Sequence, residues 1–168
     1  ELHSLFIRLG VLMAKIEFND FDEYLDKLQK LEKDDVVPIM KMSLYEGAGV
    51  VVDGIRSEIQ SLHTSNHASQ GPMDYEKKAL EKGLGISDME SKGDDINVKV
   101  GFAGYSSHKT KKYPKGVPVP LIARSILRGS SFRPKNDFVG RAVRKYRKKS
   151  VETMDSKINE LFKKEMNK

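Results

Sequence analysis

Apolar side chains recur at helical spacing in three stretches of the first half of the chain. The first stretch covers residues 21–33, the second runs from about 37 to 62, and the third covers 74–82 and ends at Gly83, a residue type that caps helices well. We therefore expect three helices in this half, the first of them acidic. The face of the second helix that is predicted to be buried consists of Val37, Met40, Leu44, Ala48, Val51, Ile55, Ile59 and Leu62.

Alternating apolar and polar residues predict two strand regions. Residues 96–102 alternate strictly, which is typical of a half-buried strand, and residues 84–89 are predicted to be its hairpin partner across a turn at 92–94. A shorter alternation at 14–18 predicts an edge strand near the start of the chain.

Residues 117–143 predict a short helix, a polar corner and the start of a long helix. Pro120 suits a first helical turn, where its missing N–H would be unpaired, and Gly129 after Arg128 is a typical helix stop. Apolar spacing resumes at Phe138, and we expect a helix over residues 137–165. Its predicted buried face consists of Phe138, Ala142, Val143, Tyr146, Met154, Ile158, Leu161 and Phe162.

Three glycines interrupt the second predicted helix. Gly47, Gly49 and Gly54 each cost up to about 1 kcal/mol relative to alanine in a helix. Close packing against a neighbouring element would offset this cost, and we hypothesise that the neighbour is the long C-terminal helix. A kink at functional glycines is the alternative.

Composition limits the classes of protein to consider. The chain has 168 residues, 38% of them hydrophobic and 32% charged, which is typical of one globular domain. It has no cysteine, which excludes a disulfide framework, thiolate zinc sites and a cysteine nucleophile. No apolar run reaches the roughly 18 residues of a membrane span. We expect residues 1–12 to be an upstream or cloning remnant and residues 13–168 to form one domain.

Charge is distributed unequally along the chain. Residues 1–95 hold 11 Lys/Arg and 19 Asp/Glu, a net charge of −8, whereas residues 96–168 hold 19 and 5, a net charge of +14. Six cations fall within residues 141–149. Three interpretations are open: a basic half that faces nucleic acid, an acidic face that meets the basic face of the next copy, or two solvated surfaces.

A basic loop is predicted at residues 105–117, which also contain Tyr105 and Tyr113. Lysines beside aromatic side chains are typical of sites for single-stranded nucleic acid. An ordinary mobile hydrophilic loop has the same composition, and we favour that interpretation. Such a loop is also compatible with a position in a DNA-filled channel.

The sequence contains no motif for catalysis, metal binding or cofactor binding. GxSxG, HExxH, GxGxxG and P-loop patterns are missing. His63 and His67 have the spacing of a helical metal pair, but they lie in a Ser- and Asn-rich stretch without a third ligand nearby. We therefore expect no enzyme activity, no cofactor, no metal and no small-molecule substrate.

The order of motifs resembles the gene-product-ten-like tail-component family of long-tailed bacteriophages. The resemblance runs from 21–33 through 44–62 to the segments INVKVGFAGY, IARSILRGSSF and NDFVGRAV and a closing Lys-rich helix. The sequence departs from the family's corner, where Gly-Thr-Ser and Pro-Phe are usual. Ser130 stands in place of the Thr, and Asp137 in place of the Pro.

The resemblance implies an α+β fold, with a small antiparallel β-sheet packed against several α-helices and a long C-terminal helix. It also implies a structural virion protein of the neck or tail, acting in tail completion or head–tail joining as a ring subunit around the DNA path. The implied partners are other copies of the chain, other phage neck and tail proteins and passing genomic DNA, with no membrane, and the host cytoplasm is the site of assembly. The alternative function is a nucleic-acid-binding module that uses the basic C-terminal helix.

Two sets of residues are the hypothesised contact sites. The corner set, for self-assembly or partner contacts, is Arg128, Ser130, Arg133, Lys135 and Phe138. The basic set, for a DNA channel or an acidic partner, is Lys109, Lys111, Lys112, Lys115, Arg141, Arg144, Lys145 and Lys148.

Overall fold

The computed structural model describes residues 6–8, 13–15, 33–92 and 95–166, and most of this part of the chain is helical. The predicted α+β fold, with a small antiparallel sheet packed against helices and a long C-terminal helix, is confirmed. Except for its last residue, the predicted acidic helix at 21–33 lies outside the described residues. The helices are α1 (Lys33–Gln60), α2 (Asp74–Gly83), α3 (Val119–Arg128) and α4 (Phe138–Met166).

The strands pair in three short antiparallel ladders. They are β1 (Phe6–Arg8) with β2 (Met13–Lys15), β3 (Leu84–Ile86) with β6 (Val100–Phe102), and β4 (Glu90–Lys92) with β5 (Asp95–Asn97). The predicted edge strand at 14–18 overlaps β2, and its residues 16–18 lie outside the described residues. β1 falls within the segment that we expected to be a remnant, and that assignment stays a prediction.

The predicted hairpin forms, but a bulge divides it into two ladders. Ile86 pairs with Val100 and Glu90 pairs with Asn97, so three residues on one strand face two on the other. Ser87 bridges the gap: its N–H donates to the Lys99 carbonyl at 2.7 Å, and its hydroxyl accepts the Lys99 N–H at 2.9 Å. The alternation that defined the strand is preserved, because Val98 and Val100 are both fully buried.

α1 and α4 pack antiparallel along most of their lengths, and each helix is about 42 Å long at 1.5 Å per residue. Later residues of α1 meet earlier residues of α4 along the length of the pair. The facing pairs are Ile39 with Ile158, Gly47 with Met154, Gly54 with Tyr146, and Glu58 with Arg141.

Two of the three α1 glycines leave room for side chains of α4 that pack directly against the helix backbone. A Cβ added to Gly47 would overlap the Met154 side chain, and one added to Gly54 would overlap the Tyr146 ring. The hypothesis of close packing against the C-terminal helix is confirmed at these two positions. It is wrong for Gly49, where an added Cβ meets no atom within 4 Å.

The buried faces of both long helices largely follow the apolar spacing. The predicted α1 face is buried from Leu44 to Leu62, but Val37 is exposed and Met40 is only partly buried. α1 also begins at Lys33, about one turn earlier than expected. Apolar spacing missed Ser150 of α4, which is fully buried and donates a 2.7 Å hydrogen bond to the Gly47 carbonyl.

Candidate partner-binding surfaces

The start of α2 is held by a carboxylate one turn into the helix. Glu76 Oε2 accepts a hydrogen bond from the Met73 N–H at 2.9 Å, which satisfies a backbone donor ahead of the helix. Glu76 is nevertheless buried. A buried carboxylate needs a positive partner, and the corner between α3 and α4 supplies one.

That partner is Arg133, whose Nη2 donates to Glu76 Oε1 at 2.9 Å and to Oε2 at 2.8 Å. The Arg133 and Glu76 side chains are 4% and 7% exposed. Arg133 Nε and Nη1 have no hydrogen-bond partner among the described residues. The pair fixes the corner against α2 and leaves two guanidinium nitrogens unsatisfied.

Tyr75, which precedes Glu76 in α2, contacts the basic loop at residues 105–117. The Tyr75 ring stacks on the His108 ring, with centroids 4.6 Å apart and planes 26° apart. Burial raises the pKa of Tyr75 above its usual 10.0, the Glu76 carboxylate raises it further, and Arg133 acts in the opposite direction. Adjacent residues of one short helix therefore support both segments that we hypothesised as contact sites.

The 105–117 loop has its own hydrogen-bonded structure. Ser106 N–H donates to the Val117 carbonyl at 2.9 Å, and Val117 N–H donates to the His108 carbonyl at 3.0 Å. Gly116 closes the loop with a φ of +110°, and a Cβ there would run into the Ser106 carbonyl. This ordered backbone presents the lysines of the loop to solvent.

The corner is a tight turn that begins at a left-handed glycine. Gly129 follows the last residue of α3 with a φ of +72° and a ψ of 179°, a conformation that glycine adopts readily because it has no Cβ. Ser130 and Arg133 exchange backbone hydrogen bonds of 2.9 and 3.2 Å. Phe132 lies at the tip of this turn and is 60% exposed.

The structure corrects two residues of the corner set. Phe138 is fully buried in the main core, where its ring meets the edge of Phe102, and Arg133 is buried against α2. Both side chains are buried within the fold, so neither is exposed for a partner to contact. Arg128, Ser130 and Lys135 are exposed, and their role as contacts stays a prediction. Phe132 lay in the predicted corner but was not in the site set, although it is the aromatic side chain that the corner exposes.

The α4 cations of the basic set are exposed, but intramolecular carboxylates already pair with several of them. Three ion pairs involve the basic set: Arg141 with Glu58 at 2.8 Å, Arg144 with Asp137 at 3.2 Å, and Lys148 with Glu152 at 3.7 Å. Lys145 lies over the Tyr146 ring, 5.4 Å from its centroid. An open groove of 410 Å³ follows this face and is lined by Arg144, Arg147, Lys148, Val151 and Glu152.

The two basic groups are held by different elements, the loop lysines by α2 and the α4 cations by packing on α1. Within the described ranges, no group of acidic or histidine side chains is arranged to hold a metal ion. Also within these ranges, no helix has the length and apolar character needed to cross a membrane.

Comparison of the chain with protein-family models, with curated proteins and with solved structures finds no match.

Proposed function

We propose that this chain is a structural protein of a long-tailed bacteriophage, a ring subunit that joins tail to head around the path of the genome. The observation that carries the proposal is the order of the segments INVKVGFAGY, IARSILRGSSF and NDFVGRAV, which resembles the gene-product-ten-like tail components. These segments form β5 and β6, α3 with its corner, and the start of α4. Their buried apolar residues share one core, so the resemblance falls on a connected piece of the fold.

The unequal distribution of charge along the chain supports assembly into a ring. A ring of identical subunits needs two different faces that complement each other. The acidic first half, with a net charge of −8, and the basic second half, with +14, provide opposite signs, which steer association and fix orientation. We assign the exposed cations of α4 between residues 141 and 149 to this contact, including Arg147, which forms no ion pair within the described part of the chain.

A charge-reversal experiment tests this contact. The variant R147E/K148E reverses two adjacent exposed cations beside the α4 groove, and K163E/K164E reverses an equivalent exposed pair near the end of the same helix. Each variant would be supplied to cells in which the phage gene is interrupted. We expect R147E/K148E to give few joined particles and K163E/K164E to restore normal yield. Normal yield with both variants would contradict the ring contact.

A further inference from the structure

A run of the chain without carboxylates forms the surface around α3. Residues 96–136 contain nine Lys and Arg but no Asp or Glu. Two of the nine, Lys99 and Arg133, are paired with Glu90 and Glu76. The other seven are exposed and form no ion pair within the described part of the chain: Lys109, Lys111, Lys112, Lys115, Arg124, Arg128 and Lys135.

The segments that carry these cations contact the same short helix, α2. His108 of the loop stacks on Tyr75, and Arg133 of the corner binds Glu76. Consecutive Cα atoms are about 3.8 Å apart, so the loop and the corner meet at the same end of α2. α3 connects the two and packs on α2, so the loop, α3 and the corner adjoin one another. We call the 105–117 loop, the exposed positions of α3 and residues 130–135 the α3 surface.

Two exposed aromatic side chains lie at opposite ends of α3. Tyr105 and Phe132 are each 60% exposed, more than any other large apolar side chain in the described ranges. Tyr105 forms a β-bridge with Pro118, directly before the helix, and Phe132 lies in the turn that follows it. The ten residues of α3 separate the two ends by about 15 Å. Leu121, Arg124 and Arg128 are the exposed residues of α3 between these ends.

We propose that the α3 surface binds single-stranded nucleic acid. Unpaired cations bind the phosphates, and exposed aromatic rings stack on unpaired bases. An acidic protein partner would also use the cations, and competition by polyglutamate distinguishes it from a single strand. A duplex keeps its bases stacked inside and would leave the same rings unused. Nucleic-acid binding here would be measured on the isolated protein and does not require the neck ring to exist.

Binding of a fluorescein-labelled oligothymidylate to the full chain, followed by anisotropy at low salt, tests the role of the rings. Y105A and F132A should each weaken binding about fivefold to a hundredfold, the usual effect of removing the ring from one stacked base. The matched control is Y45A, because Tyr45 is an exposed aromatic residue of α1 outside this surface. Equal binding by all three variants, or no binding by the parent chain, would overturn the proposal.

The salt dependence tests the role of the cations. K111E/K112E should bind more weakly and should lower the slope of log K against log salt by about 0.7 for each phosphate that the variant no longer neutralises. K163E/K164E, an exposed pair on α4, should keep the parent slope. A duplex of equal length that binds as tightly as the single strand, or polyglutamate that competes equally well, would contradict single-strand recognition.

Discussion

Arg133 and Glu76 are 57 positions apart in the chain and form an ion pair that is almost completely buried. One guanidinium nitrogen contacts both carboxylate oxygens, and Glu76 also holds the backbone N–H at the start of α2. The pair therefore connects the α3–α4 corner to α2. Two Arg133 nitrogens lack partners within the described residues, so the desolvation of the guanidinium is only partly offset.

Glu76→Gln should destabilise the protein by about 3–5 kcal/mol, because it leaves an uncompensated buried guanidinium. Urea unfolding would measure the loss. The double variant E76Q/R133M should lose less than the sum of the two single variants, because the second change removes the stranded charge. Strictly additive losses would show that the two side chains do not interact.

Alanine substitutions at two glycines of α1 should change the stability of the protein in opposite directions. Gly54→Ala forces a methyl group into the Tyr146 ring, and overpacking of this kind costs about 1–3 kcal/mol. Gly49→Ala meets open space and should stabilise the helix by up to about 1 kcal/mol. Thermal unfolding of both variants would measure the difference. A stabilising Gly54→Ala would contradict the packing of α1 on α4.

Two phenylalanines that are close together in the sequence differ in burial, so their substitutions should differ in effect on stability. Phe138→Ala should lose about 3–5 kcal/mol of stability, as expected for a fully buried ring. Phe132→Ala removes a ring that is 60% exposed and should leave stability nearly unchanged. Chemical denaturation of both variants would distinguish them, and comparable losses would be inconsistent with this corner.

Stability should depend on Tyr75 in alkaline solution. The pKa of Tyr75 is raised in the folded chain, so the folded state retains a proton that the unfolded state loses above about pH 10. The resulting stabilisation is complete below that pH and disappears as the pH rises through the raised pKa. Tyr75→Phe keeps the ring stacked on His108 and removes the titration. Relative to this variant, the parent chain should lose urea resistance as the pH rises above about 10, whereas parallel curves would show that Tyr75 does not titrate differently on folding.

Local patterns predicted the elements of the fold well, because helical and strand spacing depend on residues that are close in sequence. α3, the corner and α4 occur where spacing, Pro120 and Gly129 indicated. The bulge at Ser87 was not predictable, since it depends on a side chain that substitutes for a ladder hydrogen bond. Ser150 was missed for a related reason: its partner, the Gly47 carbonyl, lies on another helix.

The candidate surface was harder to predict than the fold. Sequence placed Arg133 and Lys135 together as contacts, but Glu76, far away in the chain, draws Arg133 into the interior. Phe138 follows the corner and also begins the buried face of α4, and the second role determines its position. Residue type alone does not distinguish a buried cation from an exposed one.

Electron microscopy of a lysate tests the neck-protein account most directly. On this account the chain is encoded by a phage, and its gene would be interrupted with a stop codon at Tyr24, with the intact gene supplied in trans as the control. The account predicts filled heads beside separate tails, and joined particles when the gene is restored. Normal joined particles from the interrupted gene would contradict a role at the head–tail junction.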